Sequence, residues 1–208
     1  MPCIYLHEGV GFRLGLWKIT ESVDFFSEFI SYRSSASNIG VQLQQMASRM
    51  LLNELIPGFS FDDIVINESG KPEFPQQHIH FSISHTKGYA AAIISKNSPV
   101  GIDIELISDR VLNVERKFLG EVELRLLPPV DDHQRVTYAT LCWSIKEAVY
   151  KCWGKGGVDF IEHINIIDLP VTDSGKATVR FQKKESLDCK VSCTLFEDLW
   201  LTYMMGPL

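Results

Sequence analysis

Apolar and polar side chains alternate along much of the chain, with the period of two that is typical of strands. The pattern is clearest over residues 99–106, where Val100, Ile102 and Ile104 fall on one face and two acidic residues on the other. Alternation after a turn-like segment at 8–11 predicts a β-hairpin near the start. Further strands are predicted at residues 64–66, 79–83, 89–95, 161–167, 177–181, 190–196 and 199–204.

Helical segments are predicted at about residues 21–30, 38–56, 114–127 and 136–153. Ser37 or Asn38 can cap the second helix, and Pro57 followed by Gly58 ends it. Because strands come in runs with few helices between them, the pattern favours an α+β fold over alternating βαβ units. The best candidate boundary is the polar segment 96–99, which divides the chain into residues 1–98 and 99–208.

Composition narrows the function classes. The 208 residues are 45% apolar, enough for a sizeable core, and the net charge is −6 with no run of five basic residues. A nucleic-acid groove is therefore disfavoured, since phosphate backbones bind clustered lysine and arginine. No apolar stretch reaches the roughly 18–20 residues that span a bilayer, and the N-terminal residues lack a signal-peptide pattern. The expectation is a soluble cytoplasmic protein without membrane or nucleic-acid partners.

The candidate chemistry comes from four side chains. Asp103 and Glu105 share one face of a predicted strand, about 6–7 Å apart along it. Glu147 and Lys151 are four residues apart and share one face of a predicted helix. If the helix packs on the strand, three carboxylates surround one point with an ammonium group one turn away. Hard oxygen ligands of this kind suit Mg²⁺, which commonly binds phosphate groups as well.

Plain structural readings of the same residues stay open. Asp103 and Glu105 could face solvent, although acidic residues are depleted in strands. Glu147 and Lys151 taken alone are most simply an i,i+4 ion pair. A functional reading therefore needs further matching segments.

Four such segments together resemble the 4′-phosphopantetheinyl transferases, specifically the double-length type that activates peptide and polyketide synthetases. In chain order they are residues 70–72 (Gly-Lys-Pro), 81–86 (Phe-Ser-Ile-Ser-His-Thr), 100–105 (Val-Gly-Ile-Asp-Ile-Glu) and 143–151 (Trp-Ser-Ile-Lys-Glu-Ala-Val-Tyr-Lys). Residues 118–123 (Phe-Leu-Gly-Glu-Val-Glu) are similar to a further family segment. One block alone would be weak, but four in the right order and spacing are specific.

The resemblance implies two similar α+β halves related by a pseudo-twofold axis, with coenzyme A bound between them. It implies transfer of the phosphopantetheine arm of coenzyme A to a serine of an apo acyl or peptidyl carrier protein, a holo-acyl-carrier-protein synthase activity. Adenosine 3′,5′-bisphosphate would be released, and Mg²⁺ would be required. Both halves fit in one chain, so we expect an active monomer.

The resemblance also implies roles for single residues. Asp103, Glu105 and Glu147 would bind Mg²⁺, and Lys151 would meet the diphosphate. The catalytic group would be Glu123, Glu147 and Lys151. Glu123 lies where some members place a catalytic base, and whether Glu123 or another carboxylate is the base stays open. The residues along coenzyme A would be Arg49, Lys71, Pro72, Ser84, His85, Asp103 and Lys151.

The chain also departs from the family. Members carry several basic residues before and within the first long helix, whereas the long helix of this chain offers only Arg49; whether Arg33 or Lys87 substitutes stays open. Two rival functions remain from the sequence. One is a catalytically inactive carrier-protein binding module, and the other, which the acidic net charge disfavours, is a metal-dependent nuclease.

Overall fold

The computed structural model describes most of the chain. The described residues are 3–30, 32, 36–56, 58, 64–68, 70, 72–74, 78–129, 132, 134–183 and 185–208. Three residues named from the sequence, Arg33, Pro57 and Lys71, lie outside the described residues. Within the described part of the chain, no helix is both long enough and apolar enough to cross a membrane.

The first half is an antiparallel four-stranded sheet covered by helices. Its strands are β1 (Cys3–Gly9), β2 (Phe12–Lys18), β5 (His80–Thr86) and β6 (Tyr89–Ser95), in the order β1-β2-β6-β5. Helices α1 (Val23–Phe29) and α2 (Ile39–Leu55) pack with this sheet, and Asn38 caps α2 through its side-chain oxygen. A two-stranded ribbon, β3 (Val65–Ile66) with β4 (Pro72–Glu73), lies in the connection from α2 to β5.

The second half is an antiparallel five-stranded sheet and one long helix. Its strands are β7 (Val100–Leu106), β8 (Ile164–Asp168), β9 (Ser174–Gln182), β10 (Ser186–Phe196) and β11 (Leu199–Met205), in the order β7-β11-β10-β9-β8. The helices are α3 (Glu121–Leu124), α4 (Gln134–Trp153) and α5 (Phe160–His163). The predicted α+β fold is confirmed. The first sheet is formed by residues before the predicted boundary and the second sheet by residues after it. A twofold relation between the halves stays a prediction.

One predicted helix was wrong, and one predicted strand begins later than predicted. The segment predicted as a helix over 114–127 instead forms a 3₁₀ turn at Glu115–Lys117, followed by the single helical turn α3. Phe118 and Leu119, which follow the 3₁₀ turn at Glu115–Lys117, are buried, so the chain enters the core at this point. Gly120 is the N-cap of α3. In the segment predicted as a strand over 161–167, the strand β8 begins only at Ile164. The residues before it belong to α5, because the Asp159 side chain accepts the N–H groups of the first helical turn.

The two sheets meet at β5 and β7 through serine side chains. The Ser82 hydroxyl accepts the N–H of Ile102 at 3.2 Å, and the Ser84 hydroxyl accepts that of Ile104 at 3.3 Å. One apolar cluster contains residues of both sheets, among them Leu14 from β2 and Ile104 from β7. The halves therefore share a buried contact, and the polar ends of β5 and β7 emerge together beside α4.

Candidate active site at the junction of the two sheets

Helix α4 lies directly against β7 at Gly101. A Cβ atom built on Gly101 would be 1.9 Å from the Ala148 carbonyl oxygen and 2.6 Å from the Cys152 nitrogen. Glycine is therefore required here by a close approach of two backbones. A second anchor is Thr202 of β11, whose hydroxyl donates to the Ser144 carbonyl at 2.9 Å. These contacts hold α4 against the part of β7 and β11 where Thr202 pairs with Asp103.

Asp103 is the centre of the cluster and is only 3% exposed. Its Oδ1 accepts hydrogen bonds from Ser84 Oγ at 2.8 Å and from Lys151 Nζ at 2.6 Å. Lys151 also donates to Ser84 Oγ at 2.9 Å. One residue from the first half and two from the second are thereby joined.

Glu105 and Glu147 lie close enough to Asp103 and Lys151 to feel their charges, and both are partly desolvated. Trp143 donates its indole N–H to Glu105 Oε1 at 3.1 Å. Burial, with the negative charge of Asp103, raises the pKa of Glu105 to about 7. Burial and then the charge of Asp103 also raise the pKa of Glu147, while Lys151 opposes the shift. The carboxylates thus repel one another and favour a bound cation.

The donor set fits a divalent cation by its chemistry. Asp103 Oδ2 is buried and has no hydrogen-bond partner among the described residues, so it is an available oxygen donor. As the side chains stand, no three His, Cys, Asp or Glu residues in the described ranges are spaced to hold a metal. Lys151 supplies the positive charge next to Asp103 in this arrangement. Asp103, Glu105 and Glu147 are the residues that would hold Mg²⁺.

A cleft of about 320 Å³ opens beside the cluster, between the halves. Its walls include Phe81 and Ser82 from β5, Tyr150 and Lys151 from α4, and Pro72 from the β3–β4 ribbon. The cleft contains both apolar and hydrogen-bonding surface, as small-molecule sites commonly do.

His85 and Arg49 lie on the first-half side of the same region. His85 is exposed at the end of β5. Partial desolvation of its ring and the positive charge of Lys151, with a smaller effect of Arg49, lower the pKa of His85. Arg49 lies over the Tyr32 ring, 3.6 Å from its centroid, and donates to the Gln45 carbonyl at 3.0 Å. Arg49 supplies a positive charge on this side of the cleft, and His85 adds one when it is protonated, so this side suits an anion.

Glu123 is the predicted site residue that the structure places apart from this cluster. It is 3% exposed, and its carboxylate accepts hydrogen bonds from Lys146 and from the backbone N–H groups of Gly120 and Ile166. None of these partners is Asp103 or Lys151. The sequence did not reveal this arrangement, because an acidic residue near Arg125 is typical of an exposed helix face.

Sequence reasoning also missed three residues that shape the site. Gly101 inside an apolar strand was the one with a usable signal, since such a glycine often marks a close backbone approach. Trp143 was interpreted as a packing residue; it packs on Phe118 and Phe160, and it also holds Glu105. Ser82 shares the strand face of Ser84, but nothing in its sequence context distinguishes it.

Comparisons with known proteins agree with the geometry. A family model described as the 4′-phosphopantetheinyl transferase superfamily matches residues 99–203, about half of the chain. The chain is similar to the 4′-phosphopantetheinyl transferase gsp of Aneurinibacillus migulanus, with 41% identity over 90 residues, 43% of this chain and 37% of the relative. A 4′-phosphopantetheinyl transferase of Bacillus subtilis is 32% identical over 100 residues, 48% of this chain and 43% of the relative.

A longer match covers both halves. The 4′-phosphopantetheinyl transferase psf-1 of Bacillus pumilus is 25% identical over 177 residues, which is 80% of this chain and 74% of the relative. The match thus spans less than half the length of the first two relatives and most of the third. Because the family model covers β7, α4 and the whole second sheet up to Tyr203, the chain belongs to the 4′-phosphopantetheinyl transferase superfamily.

Proposed function

We propose that this protein transfers the phosphopantetheine arm of coenzyme A to a serine hydroxyl of an apo carrier protein. The activity is of the holo-acyl-carrier-protein synthase type and releases adenosine 3′,5′-bisphosphate. The observation that carries the proposal is Asp103, which is buried between Ser84 and Lys151 at the edge of a cleft between the halves. Family membership gives the reaction class, and the cluster supports its chemistry.

Lys151 is the cation that meets the diphosphate of coenzyme A in this proposal. Its side chain is 26% exposed and lines the cleft, so it can meet a ligand there while it remains bonded to Asp103. Charge that develops on the leaving phosphate is stabilised by a fixed positive group that needs no reorganisation. Mg²⁺ bound by Asp103, Glu105 and Glu147 would neutralise further negative charge on the diphosphate.

The attacking serine hydroxyl needs a proton acceptor. We assign this role to Glu147, which is on the same helix as Lys151 and whose pKa is raised by burial and by the charge of Asp103, so that it holds a proton more strongly. Glu105 is less suitable, since Trp143 already donates to it. The carrier serine would approach α4 from the open side of the cleft.

The rest of coenzyme A would lie along β5 and the β3–β4 ribbon. Pro72 lines the cleft, and Lys71 beside it stays a proposed ligand. Arg49 and His85 would bind a further phosphate group, such as the 3′-phosphate. The lowered pKa of His85 means that an arriving phosphate favours its protonation, so we expect proton uptake on binding. Both walls of the cleft come from one chain, and we propose an active monomer, which sedimentation during turnover would check.

Mass spectrometry tests the proposal. The protein is incubated with coenzyme A, Mg²⁺ and a panel of apo carrier proteins of the acyl, polyketide and peptide synthetase types. We expect at least one carrier to gain one phosphopantetheine arm. Failure with every carrier, at a protein concentration where coenzyme A binding is demonstrated by calorimetry, would refute transferase activity and favour a binding module.

A further inference from the structure

A buried ion pair lies one residue before Glu147 on helix α4. The Lys146 side chain is 0% exposed and that of Glu123 is 4% exposed, with Nζ 2.7 Å from Oε1. Nζ is also 2.8 Å from Oε2 and donates to the Phe160 carbonyl at 2.8 Å. The proposed reaction uses neither side chain, and burying two charges is costly unless both are well paired.

Glu123 uses both of its oxygens inside the protein. Oε2 accepts the N–H of Gly120 at 2.9 Å, and Oε1 accepts the N–H of Ile166 at 2.8 Å. Each carboxylate oxygen of Glu123 therefore contacts one backbone N–H group and the Lys146 ammonium group. A general base must reach the proton that it takes, whereas this carboxylate is enclosed by protein donors and is 3% exposed as a residue.

The pair connects α4 to three other elements. Glu123 belongs to α3 and bonds β8 through Ile166, while Lys146 belongs to α4 and bonds α5 through Phe160. Successive residues on a helix differ by about 100° around its axis. Fixing Lys146 on this flank therefore fixes the direction in which Glu147 points.

We propose that the Glu123–Lys146 pair sets the rotation of α4 and so places the Glu147 carboxylate beside Asp103. Glu123 is then a positioning residue and not the catalytic base that some family members place at this position. The effect on turnover rests on the proposed transferase function, but the effect on cation binding does not. Partners that orient metal ligands typically account for about 10–100-fold in metal affinity.

The test compares Mn²⁺ binding, followed by electron paramagnetic resonance of the free ion, in four proteins. They are the wild type, Lys146→Met, the double variant Glu123→Met/Lys146→Met, and Arg135→Met. The last is a matched control, because Arg135 forms the other buried pair of α4, 2.8 Å from Glu115, with side chains 7% and 10% exposed. The double variant removes both charges, which avoids an unpaired buried charge and favours folding.

We expect Mn²⁺ affinity to fall by about tenfold or more in Lys146→Met and in the double variant. Arg135→Met, although less stable, should bind Mn²⁺ within about twofold of the wild type, because it lies far along α4 from Glu147. Thermal melting of each protein confirms that it is folded at the temperature used. Wild-type affinity in a folded double variant would overturn the proposal, and so would an equal loss in Arg135→Met or a wild type that binds no Mn²⁺.

Turnover separates positioning from base catalysis. At saturating Mn²⁺ we expect the double variant to lose less than about tenfold in kcat, whereas removal of a general base costs about 10²–10⁴-fold. A loss of the larger size at saturating Mn²⁺ would make Glu123 the base and overturn the inference. If the wild type transfers to no carrier, the proposed function fails while the Mn²⁺ comparison still decides the positioning role.

Discussion

Replacing Gly101 by alanine is expected to damage both stability and turnover, because no space exists for a methyl group between β7 and α4. The new Cβ would lie 1.9 Å from the Ala148 carbonyl oxygen and 2.6 Å from the Cys152 nitrogen. Both are backbone atoms of a helix, so no side chain can rotate away. Side-chain Cβ atoms essentially never approach such atoms within 3.0 Å, so the helix must move by roughly 1 Å.

The size of the effect follows from that displacement. Overpacking of a well-packed core costs about 1–3 kcal/mol, and rigid backbone atoms place this site near 3 kcal/mol. For a domain of this length each kcal/mol lowers the melting temperature by roughly 2–4 °C, so a drop of roughly 6–12 °C is expected. A misplacement of about 1 Å at a reacting site can cost about 10²-fold in rate. Glu147 and Lys151 would move with the helix, away from Asp103.

The assay combines thermal melting with the rate of carrier modification well below the melting temperature. Gly120→Ala is the matched control, since its Cβ would meet nothing nearer than 3.5 Å and its φ of −76° suits alanine. We expect the control to stay within about 1 kcal/mol and within a few-fold in rate. A Gly101→Ala protein with wild-type melting and wild-type rate would refute the close packing that is held to place the site.

Three further predictions concern the charges of the site. In steady-state kinetics, Lys151→Met should lower kcat by about 10²-fold or more. The control is Lys155→Met, which should change kcat by a few-fold at most, because the Lys155 ammonium group lies 4.5 Å from the Trp153 ring centroid. Equal losses in the two variants would contradict the role of Lys151. The pKa of Glu105 is raised to about 7, so the folded state favours its protonated form, and this contribution to the free energy of unfolding is lost as pH rises from about 4.5 to 7. In metal-free thermal melts, Glu105→Gln should therefore reduce the dependence of the melting temperature on pH over this range. An unchanged dependence would show that Glu105 is not desolvated. Lys146→Ala should destabilise the fold by roughly 3–5 kcal/mol in urea unfolding, because Glu123 is left buried and unpaired, and a loss below about 1 kcal/mol would contradict the buried pair.

The sequence predicted the second-half site better than its surroundings. Strict alternation around Asp103 and four-residue spacing between Glu147 and Lys151 are local patterns, and packing of α4 on β7 converts them into one cluster. Lys146 was correctly expected to point away from Glu147, but its complete burial was not, because a lysine with no partner nearby in sequence is normally exposed.

Other features depend on contacts between distant parts of the chain. The segment around Phe118 has helical spacing, yet burial of its apolar residues breaks it into short turns. Ser84 was expected along coenzyme A; its hydroxyl also joins β5 to β7 and bonds Asp103. No local pattern could show which of its neighbours such a hydroxyl would meet.

The most direct measurement follows both products of one reaction, modified carrier and adenosine 3′,5′-bisphosphate, with wild-type protein and with Asp103→Asn. The account predicts that the two products appear in equal amounts with the wild type. It predicts loss of both with a folded Asp103→Asn protein, by about 10²-fold or more in rate. Equal activity of the two proteins would contradict the account, and so would release of the nucleotide without modification of the carrier.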